Sequence, residues 1–457
     1  MTDEPTAQLA DFAISWKPDS AVSTASRRAK LALLDTFGVA LVGSAENSSK
    51  IAASIARREG AAGKAAVIGH GWRGSASFAA FVNGVSGHAH DYDASATVKT
   101  TGHPLVCVVP AALAVAEDVE ASGQELIEAM IVGFEIVSRM GRSAGGDRGD
   151  HYTRGFHGSS VFGVFGATAT ASRLLGLDLE ATCRAFGIAA SGPKGVRANY
   201  GTMTKPLHAG EASRAGVIAA LLANDGFTAA TDAIEARLGW ASAVVADSFD
   251  SSKLTTDLGD VLAIEQGVNF KRFPSCGATH APIRATLRVM AENGLRPEDI
   301  EEMEISILQD VLTKTLIFAW PTSPLEGKFC APYVVAAAWA DGRVGVDTFT
   351  NAKLSQLDVY RDRVKVRKLE GRPPVTVYAR TLDGREFSCE EPGNYFDDEV
   401  VGGRALSLSD LSEEELRQKF RENVAVAQTP ERADALIEQL DDLERATSLQ
   451  KLTDLLL

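Results

Sequence analysis

Nowhere in its 457 residues does this chain approach 20 or so uninterrupted apolar residues, so no membrane-spanning helix is expected. It also lacks an excess of positive charge. Its 46 Lys and Arg stand against 60 Asp and Glu, a formal net charge of −14, which argues against nucleic acid as a partner. An acidic chain of this kind binds an anion only through a local cluster of cations. Cysteine is scarce and scattered. The five, Cys107, Cys183, Cys276, Cys330 and Cys389, make no CxxC spacing, so neither a zinc ribbon nor a thioredoxin-type motif is indicated. Reduced thiols in a cytoplasmic protein are the simplest reading. The opening MTDEPTAQLADFAISW is acidic and has no apolar h-region, so no signal peptide is expected. Histidine is scarce too, at eight, and three of the eight fall within residues 88–104, HAHDYDASATVKTTGHP.

Most of the chain reads as helix. PDSAVSTASRRAKLALLDTFGVALVG opens on an Asp/Ser cap and continues with apolar residues at helical spacing. Ala- and Gly-rich helical runs follow to about residue 240, where small side chains allow close helix packing. Near residue 270 the texture changes. EMEISILQ alternates like a strand, and PPVTVYARTLDGREFSCEEPG reads as two strands about an Asp383–Gly384 turn. Between them GKFCAPYVVAAAWADG is helical. From about 409 helices return, with a capping box at Ser412 and Glu415 and with Pro430 at a first helical position. The expected fold is mainly α: a large helical domain of residues 1–268 and 403–457, with a smaller α+β lid, 269–402, inserted between.

Four segments carry candidate chemistry. In the first, His88-x-His90 with Asp91 and Asp93 invites a metal reading. The preceding residues look like a helix rather than the strand of a metal hydrolase, so His88 and His90 read as packing histidines and no metal is expected. His103 stands before Pro104, which suits the opening of a helix. The second, RGFHGSSVFGVFG, sets His157 before a helix that Ser159 or Ser160 would cap, and such an N-terminus favours anions. In the third, NYGTMTKPLHAGEA, Pro206 suits a first helical position, placing Lys205 at the cap and His208 in the first turn. A lysine there asks for a bound carboxylate. The fourth, NFKRFPSCGATHAP, offers Lys271 and Arg272 to an anion. Cys276 and His280 invite a thiol-nucleophile reading, but no third orienting group is evident.

These segments, in this order, resemble the MmgE/PrpD family. The resemblance rests on DYD…GHP…PAALAVAE, GFHGSSVFGVFGA, GTMTKPLHAGEASRAGVIAALLA, RFPSCGATH, KFCAPYVVAAAWADG and PGNYFDDEV, and spans most of the chain. It implies a helical domain with a smaller lid, a homodimer, and no shared metal or organic cofactor. It places Asp91, Ser95, His103, His157, Lys205, Lys271 and Tyr333 in the cleft. His103, His157, Asp91, Lys205 and Tyr333 would serve catalysis; Ser95, Lys271, Arg272, His208 and Cys276 would bind substrate. The implied chemistry is proton transfer at a carbon next to a carboxylate of a small di- or tricarboxylate. A 2-methylcitrate dehydratase-like hydro-lyase is the first expectation. An iminodisuccinate-type epimerase, a cis-aconitate-type decarboxylase and a non-catalytic polycarboxylate binder are the alternatives. Cys276 replaces a histidine of the decarboxylases and so points away from that activity.

Overall fold

The structure, a computed structural model, describes residues 4–18, 23–60, 62–96, 98, 101–145, 149–192, 195–371, 373–392 and 411–457. Among these residues the fold is mainly α, with few and short strands. The helices that build the site are α1 (Thr24–Ser44), α2 (Ala76–His88), α3 (Leu105–Asp118), α4 (Gly158–Leu174), α5 (Thr204–Asn224), α6 (His280–Glu292), α7 (Ala331–Asp341) and α8 (Glu413–Ala427). Their ends follow local chemistry. Ser23 Oγ accepts the Ser26 N–H at 3.1 Å and starts α1. Ser412 and Glu415 cap α8 reciprocally, side chain to backbone, at 3.2 and 2.8 Å. α7 stops at Gly342, whose φ of 64° lets the chain turn away.

One apolar core draws on both ends of the chain. Leu33 and Phe37 of α1, Leu113 of α3 and Phe162 of α4 share it with Phe420 of α8 and the late residues Leu436 and Leu456. Two further clusters come wholly from residues between 273 and 389. There α6 and α7 pack on a sheet of β3 (Ile300–Leu308), β4 (Val364–Leu369), β5 (Val375–Thr381) and β6 (Glu386–Glu391). The strand order is β4-β3-β5-β6, parallel between β3 and β4 and antiparallel elsewhere. The β5–β6 hairpin turns at Gly384, φ 83°. A short pair, β1 (Ser95–Ala96) with β2 (Val268–Asn269), ties the first site segment to the chain entering the sheet region. The boundary expected at 402/403 and residues 393–400 of the PGNYFDDEV motif lie outside the described residues.

Two expected helix starts fall elsewhere. α5 begins at Thr204, with Met203 as its cap, so Lys205 is inside the first turn rather than at the cap. Pro206 tolerates this because the first four N–H groups of a helix need no intrahelical acceptor. α4 is capped by His157, not by Ser159 or Ser160. Ser159 Oγ instead accepts the His103 N–H at 3.0 Å.

α2 and α5 run antiparallel and meet at glycines. A Cβ on Gly84 would lie 2.8 Å from Gly210 Cα, and one on Gly210 would lie 2.5 Å from Phe81 O. This close approach is what brings the last residue of α2, His88, beside Lys205 in the first turn of α5. Gly210→Ala is therefore expected to cost roughly 1–3 kcal/mol by overpacking, and to lower activity by spreading the two helix ends. A variant with unchanged denaturant midpoint and unchanged turnover would contradict this.

Three histidines are packed away from the cavity described below. Burial pushes His70 down to about 4, and His90 and His280 down to about 3. The unfolded chain takes up protons near the ordinary value of about 6.5, where the folded chain does not. The sign follows: stability is complete above pH 6.5 and is lost as pH falls toward 4. The thermal midpoint should drop steadily from about pH 6.5 to 5, above the main carboxylate range, and His280→Gln should flatten the slope. A level midpoint across that window would sink the idea.

Candidate active site

The site is built on residues 88–96, the turn after α2. Asp91 adopts φ 52°, a left-handed conformation that few residues other than glycine accept and that Asp accepts more readily than most. The backbone is held there by three lysines on three successive carbonyl oxygens. Lys328 Nζ donates to His90 O at 3.0 Å, Lys271 Nζ to Asp91 O at 2.7 Å and Lys419 Nζ to Tyr92 O at 2.9 Å. All three lysines are buried. Each has a second anchor. Lys328 also reaches Pro274 O at 2.9 Å, Lys271 the Asp91 carboxylate, and Lys419 the Asp35 carboxylate at 2.7 Å. Asp35 in turn accepts the Ala94 N–H at 3.1 Å.

On this turn two aspartates face different partners. Asp91 takes cations: the Lys271 ammonium binds Oδ1, and Lys205 Nζ lies 3.5 Å from Oδ2. Asp93 takes imidazoles: His88 Nδ1 lies 2.9 Å from Oδ1 and His103 Nδ1 3.0 Å from Oδ2. Burial alone would raise both carboxyls, but their neighbours outweigh it and hold both well below the usual carboxylate range. For Asp91 the opposing charges are chiefly Lys205 and Lys271; for Asp93 the lowering neighbours are the His88 and His103 imidazoles beside its carboxylate. An ionised carboxylate only accepts, so His88 carries its proton on Nδ1; the same tautomer suits His103, whose Nδ1 faces Oδ2 at ion-pair distance without hydrogen-bond geometry, and each Nε2 then keeps a lone pair. For His88 this agrees with its other contact, Lys205 Nζ at 2.7 Å from Nε2. For His103, Nε2 is the nitrogen nearer Asp91, 3.5 Å from Oδ1.

His157 completes the cluster. Its Nδ1 is 3.1 Å from His208 Nδ1, its ring stacks 5.8 Å from that of His88, and Tyr200 meets it edge-on at 5.3 Å. Burial, with Lys205 and His88 next, keeps His157 neutral, well below the ordinary histidine range. Burial also pushes His88 and His208 down to about 4 and lowers Lys205, against the pull of Asp91.

These side chains open on a cavity with about 840 Å³ of free space, counting its mouth. Of the residues expected from sequence, Asp91, Ser95, His103, His157, Lys205, Lys271 and Cys276 line it. Three others do not. Tyr333 is fully buried against Trp320 and Phe349, its hydroxyl donating to Thr348 O at 2.7 Å, because its helix turns that face into the sheet-region core. Phe329 and Thr315 form that region's part of the wall instead. Arg272 points outward and pairs with Glu415 at 2.7 Å. His208 stands behind His157. Cys276 is at the wall, but burial followed by the Asp91 charge pushes its thiol up to about 11, so it is no nucleophile at neutral pH. His280 spends its Nε2 on Phe273 O, 3.2 Å away.

Sequence reading missed Tyr152 and Tyr200 in the wall, and Lys328 and Lys419 beneath the turn. Tyr200 and Lys328 lie inside or beside motifs already singled out. Lys419 lies in an ordinary charged helix and gave no signal. His88, taken as a packing residue, is buried as expected but is also bonded to two functional groups.

His88, Asp91, Asp93 and His103 place one donor atom each within 4.8 Å of one another, a set with metal-ligand chemistry. His90 is not in the set; its Nε2 faces Glu46 at 3.5 Å. The donors are already committed to cations of the chain. Lys205 sits on His88 Nε2, and two ammonium groups flank Asp91. A divalent ion would have to displace Lys205 and stand among like charges, whereas an added carboxylate would find ammonium groups waiting. The set fits an anion better than a cation.

Comparison with known proteins agrees with this layout. The family model described as the MmgE/PrpD N-terminal domain matches residues 7–252, and that of the MmgE/PrpD C-terminal domain matches residues 273–444. Among similar proteins, a cis-aconitate decarboxylase of Mus musculus is 30% identical over 439 residues, 93% of this chain and 88% of that protein. One of Homo sapiens is 30% identical over 442 residues, 94% and 90% of the two chains. One of Aspergillus terreus is 25% identical over 366 residues, 76% and 74%. With both halves matched and full-length relatives at this identity, the chain belongs to the MmgE/PrpD family.

Proposed function

We propose that the chain is a lyase that moves a proton at the carbon next to a carboxylate of a small di- or tricarboxylate. The observation that carries this is His103 beside a pair of ammonium groups. Asp93 holds the ring with Nε2 free, and Lys205 and Lys271 converge on the same side. Loss of a carbon-bound proton leaves charge delocalised onto the adjacent carboxylate. That carboxylate resists further charge unless cations are already in place. Lys205 and Lys271 supply them, and the buried setting strengthens their effect. His103 Nε2 takes the proton. Lys205, its ammonium made more acidic by burial, delivers a proton to the departing hydroxyl. A base and a separate acid suit elimination of water, so a 2-methylcitrate dehydratase-like hydro-lyase is the first reading.

The second reading is decarboxylation. It is favoured by similarity over nearly the whole chain to cis-aconitate decarboxylases. There the retained carboxylate would sit on the lysines while CO2 leaves, and the same pair of groups would protonate the carbon. In this reading Cys276 is a neutral wall residue rather than a participant.

The reaction is tested in D2O with di- and tricarboxylates, followed by NMR. A hydro-lyase run in reverse places one deuterium beside a new hydroxyl. A decarboxylase releases CO2 and leaves deuterium where it left. His103→Ala should lower kcat by about 10²–10⁴, and Lys205→Met should lower kcat/KM by about 10²–10³, both with the fold intact. Folded protein that binds these acids yet neither exchanges nor converts them would leave a binding protein as the answer.

A further inference from the structure

Asp93 is fully buried, and among the described residues no lysine or arginine lies within 4 Å of it. Its Oδ1 is hydrogen-bonded to His88 Nδ1 at 2.9 Å, and its Oδ2 faces His103 Nδ1 at 3.0 Å, an ion-pair approach without hydrogen-bond geometry. Those two rings lead to different functions. His103 leads to the cavity directly. His88 does not line the cavity; its far nitrogen holds Lys205 at 2.7 Å. The chain of contacts His103–Asp93–His88–Lys205 therefore joins the proposed base to the proposed acid through groups that never meet substrate.

We propose that Asp93 and His88 are positioning residues that together set the working state of His103 and Lys205, an inference that rests on the base and acid roles assigned above. The physical reason is donor–acceptor matching. Asp93 accepts from His88 Nδ1–H on Oδ1, and its Oδ2, 3.0 Å from His103 Nδ1, repels a lone pair there and so favours Nδ1–H on that ring too. His103 then keeps its lone pair on Nε2 for the substrate. His88 keeps its own lone pair on Nε2, where it accepts from the Lys205 ammonium and fixes that group 3.5 Å from Asp91 Oδ2. No proton passes along the chain in this state, because both rings already direct an N–H toward the Asp93 carboxylate. Its effect is on orientation and tautomer.

Asparagine at 93 has the same shape but one acceptor and one donor. One ring keeps its bond to the amide oxygen; the other faces the amide NH2 and must carry its proton on Nε2. If His103 changes, the base is lost. If His88 changes, an N–H points at the Lys205 ammonium and expels it. Either way one function fails, although the packing is preserved.

The test compares Asp93→Asn, His88→Gln, His88→Leu and His103→Ala in the full chain, using the substrate identified above, with histidine tautomers read by long-range 1H–15N NMR. Wild type should show two Nδ1–H histidines that respond to substitution at 93. Asp93→Asn should convert one of them and lower kcat by about 10²–10⁴ at unchanged thermal midpoint. His88→Gln, which can still present an oxygen to Lys205, should retain more kcat/KM than His88→Leu. A merely structural role predicts that the isosteric Asp93→Asn is close to wild type and that the two His88 variants track their stabilities. The proposal is overturned if Asp93→Asn keeps wild-type kcat while His103→Ala is inactive, or if both rings carry the proton on Nε2. Activity surviving in His103→Ala would instead remove the assigned base, and the tautomer measurement would still decide the role of Asp93.

Discussion

Three ammonium groups on three consecutive carbonyl oxygens hold the turn that carries the site. A residue at φ 52° in Asp91 directs the carbonyls of His90, Asp91 and Tyr92 away from any regular ladder, and no strand or helix satisfies them. Lysines from positions 271, 328 and 419 do so instead. They come from the strand entering the sheet region, from the residue before Phe329, and from α8 near the end of the chain. The turn therefore takes its shape only when all three parts of the chain are in place. Burying such charges is costly, and the cost is offset here by one carbonyl and one carboxylate for each of Lys271 and Lys419 and by two carbonyls for Lys328. Burial pushes Lys328 down to about 7.

This arrangement reconciles an acidic protein with the acidic substrate proposed for it. A formal charge of −14 repels polycarboxylates at long range, but screening confines that repulsion to roughly a Debye length of 8 Å at physiological salt. Inside the cavity the balance is local. Asp91 is matched by Lys205 and Lys271, so the two lysines exceed their carboxylate by one unit of charge. Asp93 is matched by imidazole N–H groups rather than by cations. The aspartates therefore divide the work. One keeps two buried ammonium groups in place; the other orients neutral rings.

How much of this was legible in the sequence follows the range of the interactions. α1 is capped by Ser23 rather than by the Asp/Ser pair that opens its segment, whereas the helix cap at Ser412–Glu415 and the turn at Gly384 are set by neighbours a few residues away and could be read directly. So could the polar segment 88–104, because histidines and aspartates gathered between apolar helices need a reason to be there. Lys205 and Lys271 were legible as cations without local partners. Tyr333 misled because its motif is a packing motif: a helix beginning Ala-Pro-Tyr buries that tyrosine in its own core, and the wall is made by Phe329 just before it. Asp35, Lys328 and Lys419 were illegible for the opposite reason. Asp35 and Lys419 sit in helices that look ordinary and Lys328 opens a motif read for its tyrosine, and the role of each appears only when residues hundreds of positions apart meet.

The four-ring cluster of His88, His103, His157 and His208 shows why burial matters as much as residue type. Four imidazoles around a lysine would repel one another and the ammonium if they were charged. Burial first, with Lys205 adding to it, holds His88, His157 and His208 neutral. Neutral rings serve as directional donors and acceptors without adding charge. The positive charge of the site then stays concentrated on the lysines, where a carboxylate can meet it. A catalytic group that takes a proton among such neighbours changes the local charge by a full unit, and only His103 has carboxylates on both sides to receive that change. Of the four histidines, His103 is therefore the one with a carboxylate near each ring nitrogen, Asp91 at 3.5 Å and Asp93 at 3.0 Å, which suits the base role proposed for it.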